Sequence, residues 1–291
     1  MTTGSCLCGT VRYEVSGPYQ WMSHCHCSMC RKQSGSLFGT NLGVRRDNFR
    51  WLQGEQAIVH YRSSAAVGRP FCGECGSPVP DASGAMVGCP AGGLADDLDA
   101  RPQAHIFAGS KSPMHDFTDD LPRFEEYPPG VGTPVVAPQN PAAVADSGDT
   151  IHGSCLCGAV AFEIDEQPRN LVNCHCTRCR RSRGAAHGTS FFTRPEKLRW
   201  TRGADQVRTY KLPEAQLFSM SFCADCGSTL PSAFTPIKRY IVPAGALDTP
   251  LPIKVGINIW TGSRAPWFAL TDGLPQYEEM PPMDRVREVM F

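Results

Sequence analysis

The chain has 291 residues, 41% of them hydrophobic, and its 28 Lys and Arg balance 28 Asp and Glu to a formal charge of zero. That length suits two ordinary domains, and the even charge leaves no concentrated basic face of the kind that polyanion or membrane-surface binding needs. Met1 to Cys6 contains neither a basic region nor an apolar run, and the longest apolar segments are strand-sized. The expectation is a cytoplasmic protein without signal peptide or membrane span, acting on small molecules and not on nucleic acid. In that compartment thiols stay reduced, so fifteen cysteines point to metal ligands or catalytic groups, not disulfides.

From the N-terminus, Gly4-Ser5-Cys6-Leu7-Cys8-Gly9 leads into Thr10–Val15, which alternates apolar and polar residues as a half-buried strand does. Cys25, Cys27 and Cys30 follow at Cys-x-Cys-x-x-Cys spacing, and Cys27 to Arg31 is expected to form one helical turn. Residues 56–62 read as a second strand, Cys72-Gly73-Glu74-Cys75-Gly76 as a metal-gripping knuckle, and the acidic stretch Leu94 to Asp99 as another helical turn. From Pro128 to about Asp149 the chain is rich in Pro, Ala and Gly, without helical or strand period, and reads as an exposed linker.

The pattern then restarts. Cys6, Cys8, Cys25, Cys27 and Cys30 recur 149 residues later as Cys155, Cys157, Cys174, Cys176 and Cys179, as do Trp51, Gly54 and Tyr61. Cys72 and Cys75 recur 151 residues later as Cys223 and Cys226, and Asp119 to Pro122 recurs 153 residues later as Asp272 to Pro275. Matching non-cysteine positions mark a true internal repeat. The expected organisation is a first copy over residues 1–127, a linker over 128–149 and a second copy over 150–291. Strands are expected at 159–164 and 206–211 and a short helix at Met283 to Met290, so the fold class is mainly β. The copies carry 11 basic against 13 acidic residues and 17 against 13, too small an asymmetry to imply a polyanionic partner.

A closed all-cysteine zinc site needs four ligands. The simplest partition gives one zinc to Cys6, Cys8, Cys72 and Cys75 and another to Cys155, Cys157, Cys223 and Cys226. Cys25, Cys27 and Cys30, with Cys174, Cys176 and Cys179, remain as two three-thiol groups. Each is either an open zinc site or a closed one completed by His24 or His26 in the first copy and His175 in the second. His24 is replaced by Asn173 in the repeat. Cys89 has no counterpart, Val242 standing in its place, and reads as a small core residue. Arg31, Lys32, Arg180, Arg181 and Arg183 follow the trios and are placed to offset thiolate charge or to hold an anionic ligand; each reads equally as part of a solvated basic turn.

Residues 4–9, 25–31 and 71–77, and again 153–158, 174–180 and 222–228, resemble the glutathione-dependent formaldehyde-activating enzyme family. The late signals at Phe107 and 119–122, and at Trp260 and 272–275, fit the same family. The resemblance implies a zinc-bearing β-tent fold, with a structural zinc on each four-cysteine set and a more labile, catalytic zinc on each trio. It also implies a carbon–sulfur lyase that joins formaldehyde and glutathione into S-hydroxymethylglutathione, the catalytic residues being Cys25, Cys27, Cys30, Cys174, Cys176 and Cys179. On this reading zinc either lowers the pKa of an incoming thiol, which attacks the aldehyde carbon, or polarises the carbonyl. The competing expectation is a non-catalytic tandem zinc scaffold, since fold does not fix function; a fourth protein ligand on the trio would favour it. Two copies in one chain can also cover each other's sheet edges.

Overall fold

A computed structural model describes residues 1–64, 67–131 and 148–290, without the side chains of 287–290. Most of the expected linker therefore lies outside the described residues. The first copy contributes β1 (Thr2–Ser5), β2 (Arg12–Val15), β3 (Trp21–Cys25), α1 (Ser28–Ser34), β4 (Gly39–Arg45), β5 (Phe49–Gln53), β6 (Ile58–Arg62), β7 (Gly68–Cys72), β8 (Met86–Pro90) and β9 (Ala104–Ile106). The second contributes β10 (Ile151–Ser154), β11 (Ala161–Ile164), β12 (Leu171–Cys174), α2 (Thr177–Arg183), β13 (Gly188–Thr193), β14 (Leu198–Arg202), β15 (Val207–Lys211), β16 (Ser219–Cys223), β17 (Thr229–Leu230), β18 (Ser232–Phe234), β19 (Arg239–Pro243), β20 (Val255–Ile259), β21 (Gln276–Tyr277) and α3 (Met283–Met290). Among the described residues no helix is long and apolar enough to cross a membrane.

The repeat is structural as well as sequential. Sheet β1-β2-β5 answers β10-β11-β14, sheet β8-β4-β3-β9 answers the inner strands of β18-β19-β13-β12-β20-β21, and β6-β7 answers β15-β16-β17. β3–β9 and β12–β20 pair in parallel, which sets His24 beside His105 and Asn173 beside Asn258. Alternation works as it should in β2, where Tyr13 and Val15 point inward with 1% and 0% exposure. The expected helical turn after Cys27 runs longer, to Ser34, and stops where Gly35 takes a left-handed φ of 68° and donates its N–H to Arg31 O.

The helical turn expected over Leu94 to Asp99 does not form. Leu94 makes a bridge to Gly4, the Ala95 N–H donates to Thr3 O at 2.8 Å and Asp97 accepts from the Thr2 hydroxyl. The backbone and side chain that a helix would need are taken up along the edge of β1.

One buried cluster runs through both copies, from Tyr13, Leu42 and Cys89 to Phe162, Phe191 and Val242. The copies face each other across an approximate two-fold axis, marked by residues that meet their own counterparts. The Phe71 and Phe222 rings lie 6.3 Å apart, Phe38 and His187 5.3 Å apart, and the Thr118 and Thr271 hydroxyls 2.7 Å apart. Gly92 packs on Arg180 O and Ala185 O, and its counterpart Gly245 on Arg31 O and Ser36 O. A Cβ at either position would come within 2.4 Å of those carbonyls, so only glycine permits the approach. Lys32 crosses the same boundary, its ammonium donating to Ser154 O at 2.8 Å, Ser154 Oγ at 3.1 Å, Ala246 O at 2.9 Å and the Asp248 carboxylate.

Candidate metal centres

Loops far apart in the sequence build each four-cysteine group. Cys6 and Cys8 leave β1, while Cys72 and Cys75 leave β7, and the four sulfurs lie within 4.8 Å of one another. Cys155, Cys157, Cys223 and Cys226 do the same in the second copy. The Cys6–Cys8 and Cys8–Cys72 sulfurs are 3.4 and 3.8 Å apart, and Cys155–Cys157 and Cys157–Cys223 repeat those values. A tetrahedron with zinc–sulfur bonds of about 2.3 Å has edges of about 3.8 Å, so the donor set fits zinc. The motif's other residues serve the sulfurs. Val11 N–H donates to Cys6 at 3.3 Å, and the Ser77 hydroxyl lies 3.3 Å from Cys75 while accepting from Leu7 N–H at 3.1 Å. Gly76 and Gly227, which close the knuckles, adopt the left-handed φ values of 71° and 67° that glycine takes without cost.

The trios converge equally well. Cys25, Cys27 and Cys30 bring their sulfurs within 4.8 Å of one another, as do Cys174, Cys176 and Cys179. Cys27 caps α1, its sulfur accepting the Cys30 N–H at 3.3 Å, and Cys176 caps α2 through Cys179 N–H at 3.4 Å. Among the described residues no histidine or carboxylate joins either trio. His24 instead pairs Nδ1 with Thr40 Oγ1 at 2.8 Å, His26 Nε2 meets His105 Nδ1 at 2.8 Å, and His175 Nε2 meets Asn258 Oδ1 at 2.9 Å. Each trio is, among the described residues, a group of three thiols alone. In the first copy a cavity of about 220 Å³ abuts Cys27, with Phe107 in its wall. Phe107 and its counterpart Trp260 both hold left-handed backbone, φ 55° and 58°, a strain of about 1–3 kcal/mol for a non-glycine residue. It is stabilised by backbone bonds to the segment beyond, Phe107 N–H to Glu126 O at 3.0 Å and Trp260 N–H to Glu279 O at 3.1 Å.

Several of the cations that follow the trios in sequence are bound elsewhere. Lys32 and Arg180 are committed across the copy boundary, Arg180 to Asp96 at 3.0 Å, and Arg31 donates to the carbonyls of His26 and Ser110. The cation that touches a first-copy thiol is Arg69, which sequence reading missed. Its guanidinium, 8% exposed, lies 3.6 and 3.7 Å from Cys30 Sγ and also donates to Gln33 and Ser63. Its counterpart is Met220; in the second copy Arg183, on α2, is buried and donates to Ser34 O at 3.4 Å, and burial lowers its pKa against the opposing pull of Cys179 and Cys174. The two trios thus differ in environment. Cys25 and Cys27 are 5% and 8% exposed, whereas all three second-copy thiols are partly open.

Between the copies lies a second cavity, of about 200 Å³, lined by His24, His105, His115, Asp119, His187 and Asp272 among others. Asp119 accepts from His105 Nε2 at 2.9 Å, and His105 continues to His26. In the second copy the middle position is Asn258, which donates to Asp272 at 2.9 Å. Burial, with neighbouring His105 and Lys111, pushes His115 down to about 4, and burial with His175 beside it holds His187 well below the ordinary imidazole range. Both are neutral in the fold, so their stabilising contribution is complete above about pH 6.5. It is lost as the pH falls below that value, at up to about 1.4 kcal/mol per unit for each ring. Replacing both by the residue at their counterpart positions, His115→Phe with His187→Phe, is expected to lessen the drop in melting temperature between pH 6.5 and pH 5. Thiolate protonation affects both proteins alike, so identical acid limbs would contradict the assignment.

A sequence profile described as glutathione-dependent formaldehyde-activating enzyme matches residues 1–110 and 150–263. A Halomonas elongata protein described as "Putative glutathione-dependent formaldehyde-activating enzyme" is 31% identical over 80 residues, which cover 25% of this chain. The match spans about half, 51%, of that relative's length. A solved Rhodobacter sphaeroides structure is 26% identical, covering 36% of this chain and 98% of its own, with a TM-score of 0.30.

Proposed function

Because the chain belongs to the glutathione-dependent formaldehyde-activating enzyme family, we propose that it is a zinc-dependent carbon–sulfur lyase that joins and separates a thiol and an aldehyde, glutathione and formaldehyde being the pair in the family's name. The reading is supported above all by the three-thiol group Cys25, Cys27 and Cys30, which has no fourth ligand among the described residues and stands beside a cavity. A scaffold has no use for that opening. The four-cysteine sets hold structural zinc, and Cys174, Cys176 and Cys179 form the second copy's equivalent open site.

Zinc in such a site supplies a lowered pKa to a thiol in its open position. The protein's own part is positional. The helix start at Cys27 and the Arg69 guanidinium hold Cys27 and Cys30 through N–H donors, and Phe107 walls the cavity. In the forward direction the thiol sulfur bonds to the aldehyde carbon while the thiol proton passes to the carbonyl oxygen; the reverse breaks the same bond.

Metal analysis and a thiol–aldehyde assay on Cys27→Ala and Cys176→Ala test this. Each variant is expected to lose one zinc of four. The copy that carries turnover should lose it at least about a hundredfold, since a metal centre supplies several kcal/mol and 1.36 kcal/mol is a factor of ten. Unchanged metal and activity in both variants would refute it; full zinc content without turnover on any thiol–aldehyde pair would establish the scaffold reading.

A further inference from the structure

The cavity beside Cys27 carries a recognition surface that joining a thiol to an aldehyde does not itself require. Glu125 and Glu126 line it, and among the described residues no Lys, Arg or His does. Among the described residues neither carboxylate makes an ion pair. The pair is held in place: Phe107 N–H donates to Glu126 O and Ala108 N–H to Phe124 O, and the Glu125 carboxylate lies so close over Gly109 that a Cβ there would come within 2.2 Å of it. Ser28, next to Cys27, also lines it, and its hydroxyl is buried without a hydrogen-bond partner. Arg31, Arg69 and Lys111 are each bound to other groups: Arg31 donates to His26 O and Ser110 O, Arg69 to Cys30, Gln33 and Ser63, and Lys111 to Ser112 O and His115 O.

An alkylammonium group has three N–H donors and no acceptor. Two unpaired carboxylates belong to residues lining one cavity, a third lining residue carries an orphaned hydroxyl, and charge-assisted bonds to carboxylate are the strong kind. We propose that this cavity receives the protonated primary amine of the thiol substrate, so that the first copy selects thiols bearing a free amine. The proposal rests on the thiol–aldehyde reading of the trio. The Glu pair recurs as Glu278 and Glu279, but Met29 of the cavity wall becomes Arg178 and Ser28 becomes Thr177. The replacement of Met29 by Arg178 adds a cationic residue to the corresponding helix, so the proposal is confined to the first copy.

Calorimetric titration of the zinc-loaded full chain with 2-(methylthio)ethylamine and with its N-acetyl derivative reads the amine alone, because a thioether sulfur has no proton to lose. The free amine is expected to bind about tenfold more tightly, with the advantage shrinking as salt is raised. Glu125→Gln with Glu126→Gln, both exposed and without a folding role, should abolish the advantage, and Glu278→Gln with Glu279→Gln should preserve it. Equal affinities, no detectable binding of either compound, or an advantage that survives the first pair or is lost with the second would overturn the proposal. Turnover of formaldehyde with glutathione and with N-acetylglutathione separates the two claims. Turnover of both without calorimetric preference removes the amine site and leaves the lyase reading standing. No turnover of any thiol removes the lyase reading, while calorimetry still decides the amine site.

Discussion

Cys72→Ser is expected to unfold the first copy. Cys72 is fully buried at the end of β7, and its sulfur sits 3.8 Å from Cys8, 64 residues earlier in the chain. The sheet β1-β2-β5 and the pair β6-β7 share no strand pairing. They are joined by the four-cysteine group, the Leu7 N–H bond to Ser77 and the small apolar cluster of Leu7, Val11, Val79 and Met220 around it. A structural zinc on four thiolates contributes about 10–16 kcal/mol, as much as the whole stability of an ordinary domain, about 5–15 kcal/mol. Serine cannot replace the thiolate, and the three remaining sulfurs, two of them on buried cysteines, would stand without a shared cation. Circular dichroism and limited proteolysis should show the loss, and prolonged chelation of the wild type should reproduce it. A Cys72→Ser chain as protease-resistant as the wild type would contradict the structural assignment.

Lys32→Met is expected to destabilise the chain by about 3–5 kcal/mol, the range for removing one partner of a buried ion pair. Lys32 and Asp248 have side chains only 6% and 7% exposed, so the deletion strands a carboxylate between the copies and leaves the Ser154 and Ala246 carbonyls without their donor. The pair's net worth is smaller than that loss, because both charges were desolvated to form it. Adding Asp248→Leu should therefore recover part of the stability, the remaining deficit coming from the two carbonyls. Urea unfolding midpoints of the three proteins measure this, and a shift in Lys32→Met below about 1 kcal/mol, the scale of an exposed salt bridge, would show that the pair is hydrated.

The cysteine partition was legible because each thiol belongs to a local motif and the motifs recur at nearly fixed spacing. Convergence of Cys6 and Cys8 with Cys72 and Cys75 followed from the need for four donors, and the structure brings those sulfurs together. Alternation located β2 and β11 for the same reason that it exists, one face of each strand being buried. The acidic run at 94–99 misled because nothing in a sequence shows that β1 lies alongside to take its hydrogen bonds. Arg69 was illegible for a related reason: it is far from Cys30 in sequence, sits in a strand and has methionine as its counterpart. The imidazoles between the copies gather from positions as distant as His24 and His187, and only the packing of one copy on the other brings them to one cavity.

The meeting of Phe38 with His187 has a genetic consequence. In a dimer of identical chains, a residue on the axis meets itself, and any substitution there strikes twice. Here the two sides are separately encoded, so phenylalanine on one side can face histidine on the other, and a mutation reaches one site and spares its twin. Every molecule therefore carries its own reference: a change made at one trio can be read against the untouched trio in the same chain, at the same concentration and under the same conditions.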